Sequence, residues 1–192
     1  MTKESIVKKY PTIACCGLDC GLCPVYYTEG PSRCPGCCGP DFYNKHPSCS
    51  IITCCVKNHK FETCAECNEF PCSKIDKWDK FDSFISHRVS LSNLRLIKKE
   101  GLNKFLTQQK KRIGFLENML ENFNDGRSKS FFCLATALIP LDDLECAWNK
   151  STEQIMLNGI KKTDLKTRAS ILKKYCNQYA EKKNIELKIR KR

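Results

Sequence analysis

Thirteen of the sixteen cysteines in this 192-residue sequence lie between Cys15 and Cys72. The same segment contains most of the prolines and glycines, and its apolar residues are scattered, so we expect neither long helices nor a conventional hydrophobic core there. The chain starts without an apolar signal segment, which predicts a cytoplasmic protein. Cysteines in that reducing compartment are usually metal ligands or redox groups, and disulfides are rare. The distribution therefore predicts short turns held together by metal.

The spacing of the cysteines indicates how they are grouped. Three pairs are separated by two residues: Cys20 and Cys23, Cys34 and Cys37, and Cys64 and Cys67. A gap of this length allows a tight turn to direct both sulfurs at one ion. The first predicted four-cysteine site consists of Cys20, Cys23, Cys34 and Cys37. The second consists of Cys54, Cys64, Cys67 and Cys72.

All-sulfur sites suit either zinc or an iron–sulfur cluster. The regular spacing of the cysteine pairs favours zinc, which is our first expectation for the cofactor. The run Cys16-Gly-Leu-Asp-Cys20-Gly-Leu-Cys23-Pro24 is a clustered arrangement typical of cubane ligands, so a [4Fe–4S] cluster is the alternative. His46 and His59 lie among the cysteines and are candidates to replace one thiolate in a zinc site.

The cysteine motifs also resemble a known pattern. The matching segments are Cys16-Gly-Leu-Asp-Cys20-x-x-Cys23-Pro24, Cys34-x-x-Cys37, Cys49-x4-Cys54 and Phe61-Glu-Thr-Cys64-Ala-Glu-Cys67-Asn-Glu-Phe-Pro-Cys72. This stretch, about residues 12–76, resembles an uncharacterised cysteine-rich domain family found mainly in anaerobic bacteria and archaea. The resemblance implies metal binding, without a reaction.

The resemblance further implies ten metal ligands: Cys16, Cys20, Cys23, Cys34, Cys37, Cys49, Cys54, Cys64, Cys67 and Cys72. The remaining cysteines of the segment, Cys15, Cys38 and Cys55, are additional to the pattern. Ten ligands divide into two four-cysteine sites with two spares, or into a binuclear six-cysteine site beside a four-cysteine site. The sequence leaves both divisions open.

Composition predicts two regions: a cysteine-rich metal-binding module over residues 1–77 and a basic helical region over 78–192. Residues 1–80 carry a net charge of +1, whereas residues 81–192 carry +11. The expected fold is an irregular, metal-stapled module, similar to a zinc ribbon or knuckle, followed by an all-α region. Apolar periodicity and capping residues predict helices over 92–99, 102–123, 131–139 and 140–148, and a last one from Thr163 or Asp164. Residues 185–189 are predicted to be a strand or a frayed tail.

The basic half contains a candidate anion-binding loop directly before a predicted helix: Gly126, Arg127, Ser128, Lys129 and Ser130. Backbone N–H groups at a helix start, together with two cations, can hold a phosphate. The simpler interpretation is a plain loop with a capping serine. Cys146 and Cys176 have the spacing of small buried residues in a helix.

The sequence therefore predicts a cysteine-thiolate metal-binding protein, acting as an interaction or regulatory module with structural zinc. One alternative is an iron–sulfur protein with an electron-transfer or enzymatic role. A further alternative is a nucleic-acid binder that uses the basic half, which would also suit an acidic protein surface or a phosphorylated ligand. We find no conventional catalytic constellation, so whether the protein is an enzyme stays open, and no segment is apolar enough to predict a membrane span.

Overall fold

The computed structural model describes residues 7–190. The described residues form seven α-helices: α1 (Phe42–Lys45), α2 (Ser50–Ile52), α3 (Ser90–Glu100), α4 (Leu102–Phe123), α5 (Lys129–Leu138), α6 (Leu141–Leu157) and α7 (Leu165–Lys182). Within the same residues there is no β-strand, only an isolated bridge between Ile13 and Asp19. None of the described helices is long and apolar enough to cross a membrane.

The described chain divides into two compact units. The first contains residues 7–109 and 189–190, and the second contains Lys110–Lys188, so that the division falls within α4. This division follows contacts between residues, whereas the predicted boundary after residue 77 follows cysteine content and charge. The boundary after residue 77 stays a prediction.

The first unit has short helical turns before α3 and a hydrophobic core of its own. Single 3-10 turns span Cys20–Leu22, Gly30–Ser32 and Cys64–Glu66, and a π-helical turn spans Thr53–Asn58. The core combines residues of the cysteine-rich segment with α3 and the start of α4, including Ile13, Phe42, Ile51, Ile52, Val56, Leu91, Leu94, Ile97 and Phe105. The expectation that the cysteine-rich segment lacks a hydrophobic core is therefore wrong. Its scattered apolar residues converge because α3 presents a buried leucine face to them.

The second unit is a small helical assembly in which α6 packs along α7 and α5 contacts both. Its buried side chains include Leu116, Met119, Phe123, Phe132, Leu144 and Leu172. The guanidinium of Arg112 donates hydrogen bonds to the main-chain oxygens of Thr136 and Ile139. These carbonyls lie at the end of α5 and lack a partner within the helix, so the arginine satisfies them.

Several predicted helix boundaries need correction. Helix α3 begins at Ser90 rather than after Ser92, because Leu91 is buried and Ser92 directs its hydroxyl to the carbonyl of Val89. Helix α6 extends to Leu157, beyond the predicted end at Trp148, since the buried Ser151 donates its hydroxyl proton to the carbonyl of Ala147 within the helix.

The prediction of α4 over residues 102–123 is confirmed. The predicted role of Gly101 as the glycine that ends α3 is confirmed as well, since its φ is 90°. Helix α7 begins where expected, because the Asp164 carboxylate accepts a hydrogen bond from the Thr167 N–H. Of the two predictions for residues 185–189, a strand or a frayed tail, the strand does not form. Cys176 is buried as expected, but Cys146 is exposed because the inward face of α6 carries Leu144 and Ala147.

Candidate metal centre

The first unit contains a pocket, here called the six-cysteine pocket, whose wall includes six of the ten pattern cysteines. They are Cys16, Cys20, Cys23, Cys34, Cys37 and Cys49, and Cys15 is also in the wall. The cavity has a volume of about 230 Å³. Trp78, Phe84 and Ile85 complete its wall with apolar surface. The structure thus brings together the first predicted four-cysteine site with Cys16 and Cys49.

A separate cavity of the same unit, here called the four-cysteine pocket, has a volume of about 30 Å³. Its wall includes the other four pattern cysteines, Cys54, Cys64, Cys67 and Cys72, together with Cys55. No pattern cysteine lines both pockets. The second predicted four-cysteine group is therefore gathered at one place, and the role of its members as metal ligands stays a prediction.

Tight turns place the paired sulfurs on the same pocket wall. In the turn Cys20–Leu22, the Cys23 N–H donates to the Cys20 carbonyl over 3.2 Å, and the Cys67 N–H donates to the Cys64 carbonyl over the same distance. The second turn is closed further because the Glu66 carboxylate accepts a hydrogen bond from the Thr63 N–H over 2.8 Å. This local geometry is the one expected from a two-residue gap.

The third cysteine pair depends on a close approach of two chain segments. The Cys37 N–H donates to the carbonyl of Pro11 over 2.8 Å. Gly36 has a φ of 85°, and a Cβ at this position would lie 2.4 Å from the same carbonyl oxygen. A side chain at residue 36 would therefore push Cys37 away from Pro11, and glycine is required there.

Three buried sulfurs form a tight group, here called the thiol triad: Cys15, Cys37 and Cys38. All three Sγ atoms lie within 4.8 Å of one another, and those of Cys15 and Cys37 are 4.0 Å apart. Within the described residues, this is the one group of three metal-ligating side chains that meets such a limit. The Tyr43 hydroxyl donates to Cys38 Sγ over 3.4 Å.

A buried lysine lies beside the thiol triad. Lys8 is only 4% exposed, and its Nζ donates to the carbonyl of Ile13 over 2.6 Å. Burial by itself would lower the pKa of Lys8, but negative charge at Cys15 and Cys37 outweighs this effect and the pKa is raised. The positive charge of Lys8 in turn lowers the pKa of Cys15 and Cys37, although hydrogen bonds with neighbouring sulfurs and burial raise the pKa of both thiols overall.

Burial and hydrogen bonding separate the acidities of the thiols. Burial raises the pKa of Cys16 to about 11 and that of Cys20 well above its usual range. Hydrogen bonds from Cys15 and Cys37 lower the pKa of Cys38 to about 3. Metal binding requires the thiolate, so a metal that binds to Cys16 or Cys20 displaces a proton from that thiol.

Both histidines of the segment lie at the pockets. His46 is in the wall of the six-cysteine pocket, with Nε2 at 3.3 Å from Cys34 Sγ and its ring stacked on Phe42. Burial lowers the pKa of His46, which favours the neutral imidazole that can bind a metal. His59 is in the wall of the four-cysteine pocket and stacks on Phe61.

The candidate anion-binding loop already has an internal carboxylate. Asp125 accepts hydrogen bonds from the Arg127 N–H over 3.0 Å and from the Ser128 hydroxyl over 2.5 Å. The Gly126 N–H donates to the side-chain oxygen of Asn124. Ser128 precedes α5 as expected, yet its side chain does not cap the helix. Anion binding by Gly126, Arg127, Ser128, Lys129 and Ser130 stays a prediction.

Cys15 and Cys38 are the residues that the sequence pattern set aside and the structure places in the thiol triad. The one local signal was their adjacency to pattern cysteines, Cys16 and Cys37. Adjacent residues normally direct their side chains apart, so this adjacency did not indicate convergence. All sixteen cysteines lie within the described residues, and all are free thiols.

Comparison of the chain with protein-family models, with curated proteins and with solved structures gave no match.

Proposed function

We propose that the chain is a cysteine-thiolate metal-binding protein with two separate centres, in which the metal is structural and the protein acts as an interaction or regulatory module. The observation that carries the proposal is the division of the ten pattern cysteines between two pockets, six in one and four in the other. Random placement of cysteines on a surface would not gather whole sequence groups in this way. The division corresponds to the six-plus-four arrangement that the cysteine pattern left open.

For the four-cysteine pocket we propose zinc. Its volume of about 30 Å³ is room for about two water molecules. A single ion with four sulfur ligands at about 2.3 Å fits such a space, whereas the eight inorganic atoms of a cubane cluster need more. Cys54, Cys64, Cys67 and Cys72 would supply the closed tetrahedral set that is typical of structural zinc.

For the six-cysteine pocket, an iron–sulfur cluster is the second candidate. The volume of about 230 Å³ supports a polynuclear centre there. The clustered Cys16, Cys20 and Cys23, followed by Pro24, supply the kind of ligand run that such clusters use. A cluster would add electron-transfer or redox chemistry, which structural zinc does not provide.

The test is metal analysis of the full chain purified without oxygen. We expect about one zinc ion per chain to depend on Cys67 and further metal to depend on Cys23. That further metal is zinc under the main proposal, or iron with absorption near roughly 400 nm under the second candidate. Cys67→Ser should remove the zinc ion that depends on Cys67 and retain the metal that depends on Cys23. Cys23→Ser should remove the metal that depends on Cys23 and retain the zinc ion that depends on Cys67. Cys146→Ser is the matched control, since Cys146 is exposed on α6 in the other unit.

Two results would contradict the proposal. One is wild-type protein that retains neither zinc nor iron in amounts comparable with the protein itself. The other is an equal loss of metal from Cys146→Ser and Cys67→Ser. A colourless protein that contains only zinc would reject the iron–sulfur candidate for the six-cysteine pocket and leave the zinc proposal standing.

A further inference from the structure

We propose that the thiol triad of Cys15, Cys37 and Cys38 is an additional buried site for one zinc ion, with Lys8 as its counter-charge. The proposal deepens the proposed metal-binding function, and it rests on that function only through Cys37, which is also in the wall of the six-cysteine pocket. If Cys37 is assigned to the triad, five pattern cysteines remain in that pocket. Five still exceed the four ligands that a cubane cluster requires.

The first argument is distance. Zinc–sulfur bonds of about 2.3 Å place the sulfurs of a tetrahedral site about 3.8 Å apart. The sulfurs of Cys15 and Cys37 are 4.0 Å apart, and all three sulfurs lie within 4.8 Å of one another. The triad thus needs only small movements to bind one ion.

The second argument is the backbone of Cys38. Its φ is 57°, a left-handed conformation that residues other than glycine rarely adopt. Such strain persists only where the surroundings enforce it. Here it turns Cys38 so that its sulfur meets that of the preceding Cys37. The left-handed backbone of Cys38 therefore explains why the sulfurs of two adjacent cysteines converge.

The third argument is charge. Lys8 is buried, and none of the ion pairs formed by the described residues includes it. The nearby Glu62 carboxylate accepts hydrogen bonds from the backbone N–H groups of Lys9 and Tyr10. A buried ammonium needs a nearby anion, because removing it from water is costly.

One zinc ion completes the balance of charge. Three thiolates with a divalent cation carry a net charge of −1, which the ammonium of Lys8 neutralises. On binding, sulfur–zinc bonds replace the sulfur–hydrogen bonds of the protonated thiols and those protons pass to solvent, with no change of oxidation state. Monovalent Cu(I) would leave one negative charge uncompensated, so charge favours zinc, although thiolates bind both ions.

The test compares zinc content among variants of the full chain, purified without oxygen and loaded with zinc. Cys38→Ser and, independently, Cys15→Ser should each lose about one equivalent of zinc while the Cys67-dependent equivalent is retained. Cys146→Ser should lose none. Unchanged zinc content in both Cys15→Ser and Cys38→Ser would overturn the proposal of a zinc site at the triad. If Cys67→Ser still lost zinc in that case, the proposed metal-binding function would stand without the triad.

Lys8 is tested without removing a ligand. Lys8→Met should keep the zinc stoichiometry of the wild type but release one equivalent to a competing chelator about 10–100-fold more readily, the range found for partners outside the ligand set. Lys9→Met is the matched control, because Lys9 is exposed. Equal release from the two lysine variants would overturn the role of Lys8. Loading with Cu(I) in parallel distinguishes the ions, and a triad that takes up Cu(I) but no zinc would overturn the zinc assignment.

Discussion

Cys38 has a strained backbone. Its left-handed φ of 57° places Cβ close to its own carbonyl oxygen, at a cost of about 1 kcal/mol or more relative to glycine. The Tyr43 hydroxyl and the neighbouring thiols contact the Cys38 sulfur, but these contacts do not relieve the backbone. The residue is therefore held in place by its surroundings rather than by its own preference.

We predict that metal-free Cys38→Gly is more stable than metal-free Cys38→Ala by about 1 kcal/mol, because glycine adopts a positive φ without strain. Both variants lack the sulfur, so the comparison isolates the effect of Cβ. Urea unfolding under reducing conditions measures the difference. At Cys37, whose φ is not positive, the order should be reversed, with Cys37→Ala the more stable. The same order at both positions would contradict the strain.

At the scale of elements, the segment between the cysteine-rich part and α3 is fastened to the end of the described chain. The Asp82 carboxylate accepts hydrogen bonds from the guanidinium of Arg190 over 3.0 Å and from its backbone N–H over 2.9 Å, and the same guanidinium contacts the carbonyl of Asp79. The following residues Phe84 and Ile85 form the apolar wall of the six-cysteine pocket. Arg190 therefore helps to position that wall.

The contact between Asp82 and Arg190 should make the free energy of unfolding depend on pH. Burial alone would raise the pKa of Asp82, but hydrogen bonds from Arg190 and from the His87 N–H lower it from 3.8 to about 2. A lowered pKa stabilises the folded state above the unfolded-state value, and the contribution, about 2 kcal/mol, is lost as the pH falls from about 4 to 2. Arg190→Ala should thus lower the free energy of unfolding at pH 7 and approach the wild type near pH 2.

The measurement is urea unfolding followed by the fluorescence of Trp78, in a Trp148→Phe background that removes the signal of the other tryptophan. Trp78 reports locally, because its carbonyl contacts the His87 ring in the same segment. Arg127→Ala serves as the control, since Arg127 is an exposed arginine of the other unit. A difference between Arg190→Ala and wild type that stays constant from pH 7 to pH 2 would contradict the assignment to Asp82.

The helix boundaries show what local patterns predict and what packing decides. Gly101 ends α3 as expected, because the positive φ of a C-terminal glycine is a local property. Helix α6 extends past Trp148 because Ile155 is buried, and the serine that interrupts the apolar pattern bonds back to its own helix. In the sequence alone, a polar residue within an apolar pattern predicts the end of a helix. Only the packing on both sides of that residue shows that the helix continues.

At the scale of the whole molecule, metal should matter to one unit more than to the other. The first unit has an apolar core, but its cysteine turns are single 3-10 turns rather than longer helices, closed by hydrogen bonds such as those from the Cys23 N–H to the Cys20 carbonyl and from the Cys67 N–H to the Cys64 carbonyl. The second unit consists of helices that satisfy their own backbone groups.

We predict that a strong chelator, under reducing conditions, greatly increases hydrogen exchange at the amides of residues 15–72 and leaves α6 and α7 protected. The physical reason is that the free energy of metal binding contributes to the stability of only those turns that supply ligands. Hydrogen exchange resolved by peptide and mass spectrometry measures both regions in one sample. Undiminished protection of residues 15–72 without metal would show that the apolar core alone maintains them.

The sequence by itself determined two groups of four cysteines and most of the helices. A two-residue gap and a 3.6-residue period are local properties, so they predicted the CxxC turns and the extent of α4. Sequence also separated two groups of four, Cys20, Cys23, Cys34 and Cys37 from Cys54, Cys64, Cys67 and Cys72, whereas only the structure placed Cys16 and Cys49 beside the first group. Their function as ligands stays a prediction.

Only the tertiary structure decided the thiol triad. It joins Lys8 and Cys15 to the Cys37-Cys38 pair through the hydrogen bond between Cys37 and Pro11, and through the positive φ of Cys38. Neither the approach of two segments more than twenty residues apart nor a strained dihedral angle leaves a periodic mark in the sequence. The physical reason is that both depend on the sum of contacts around them, which exists only once the chain is folded.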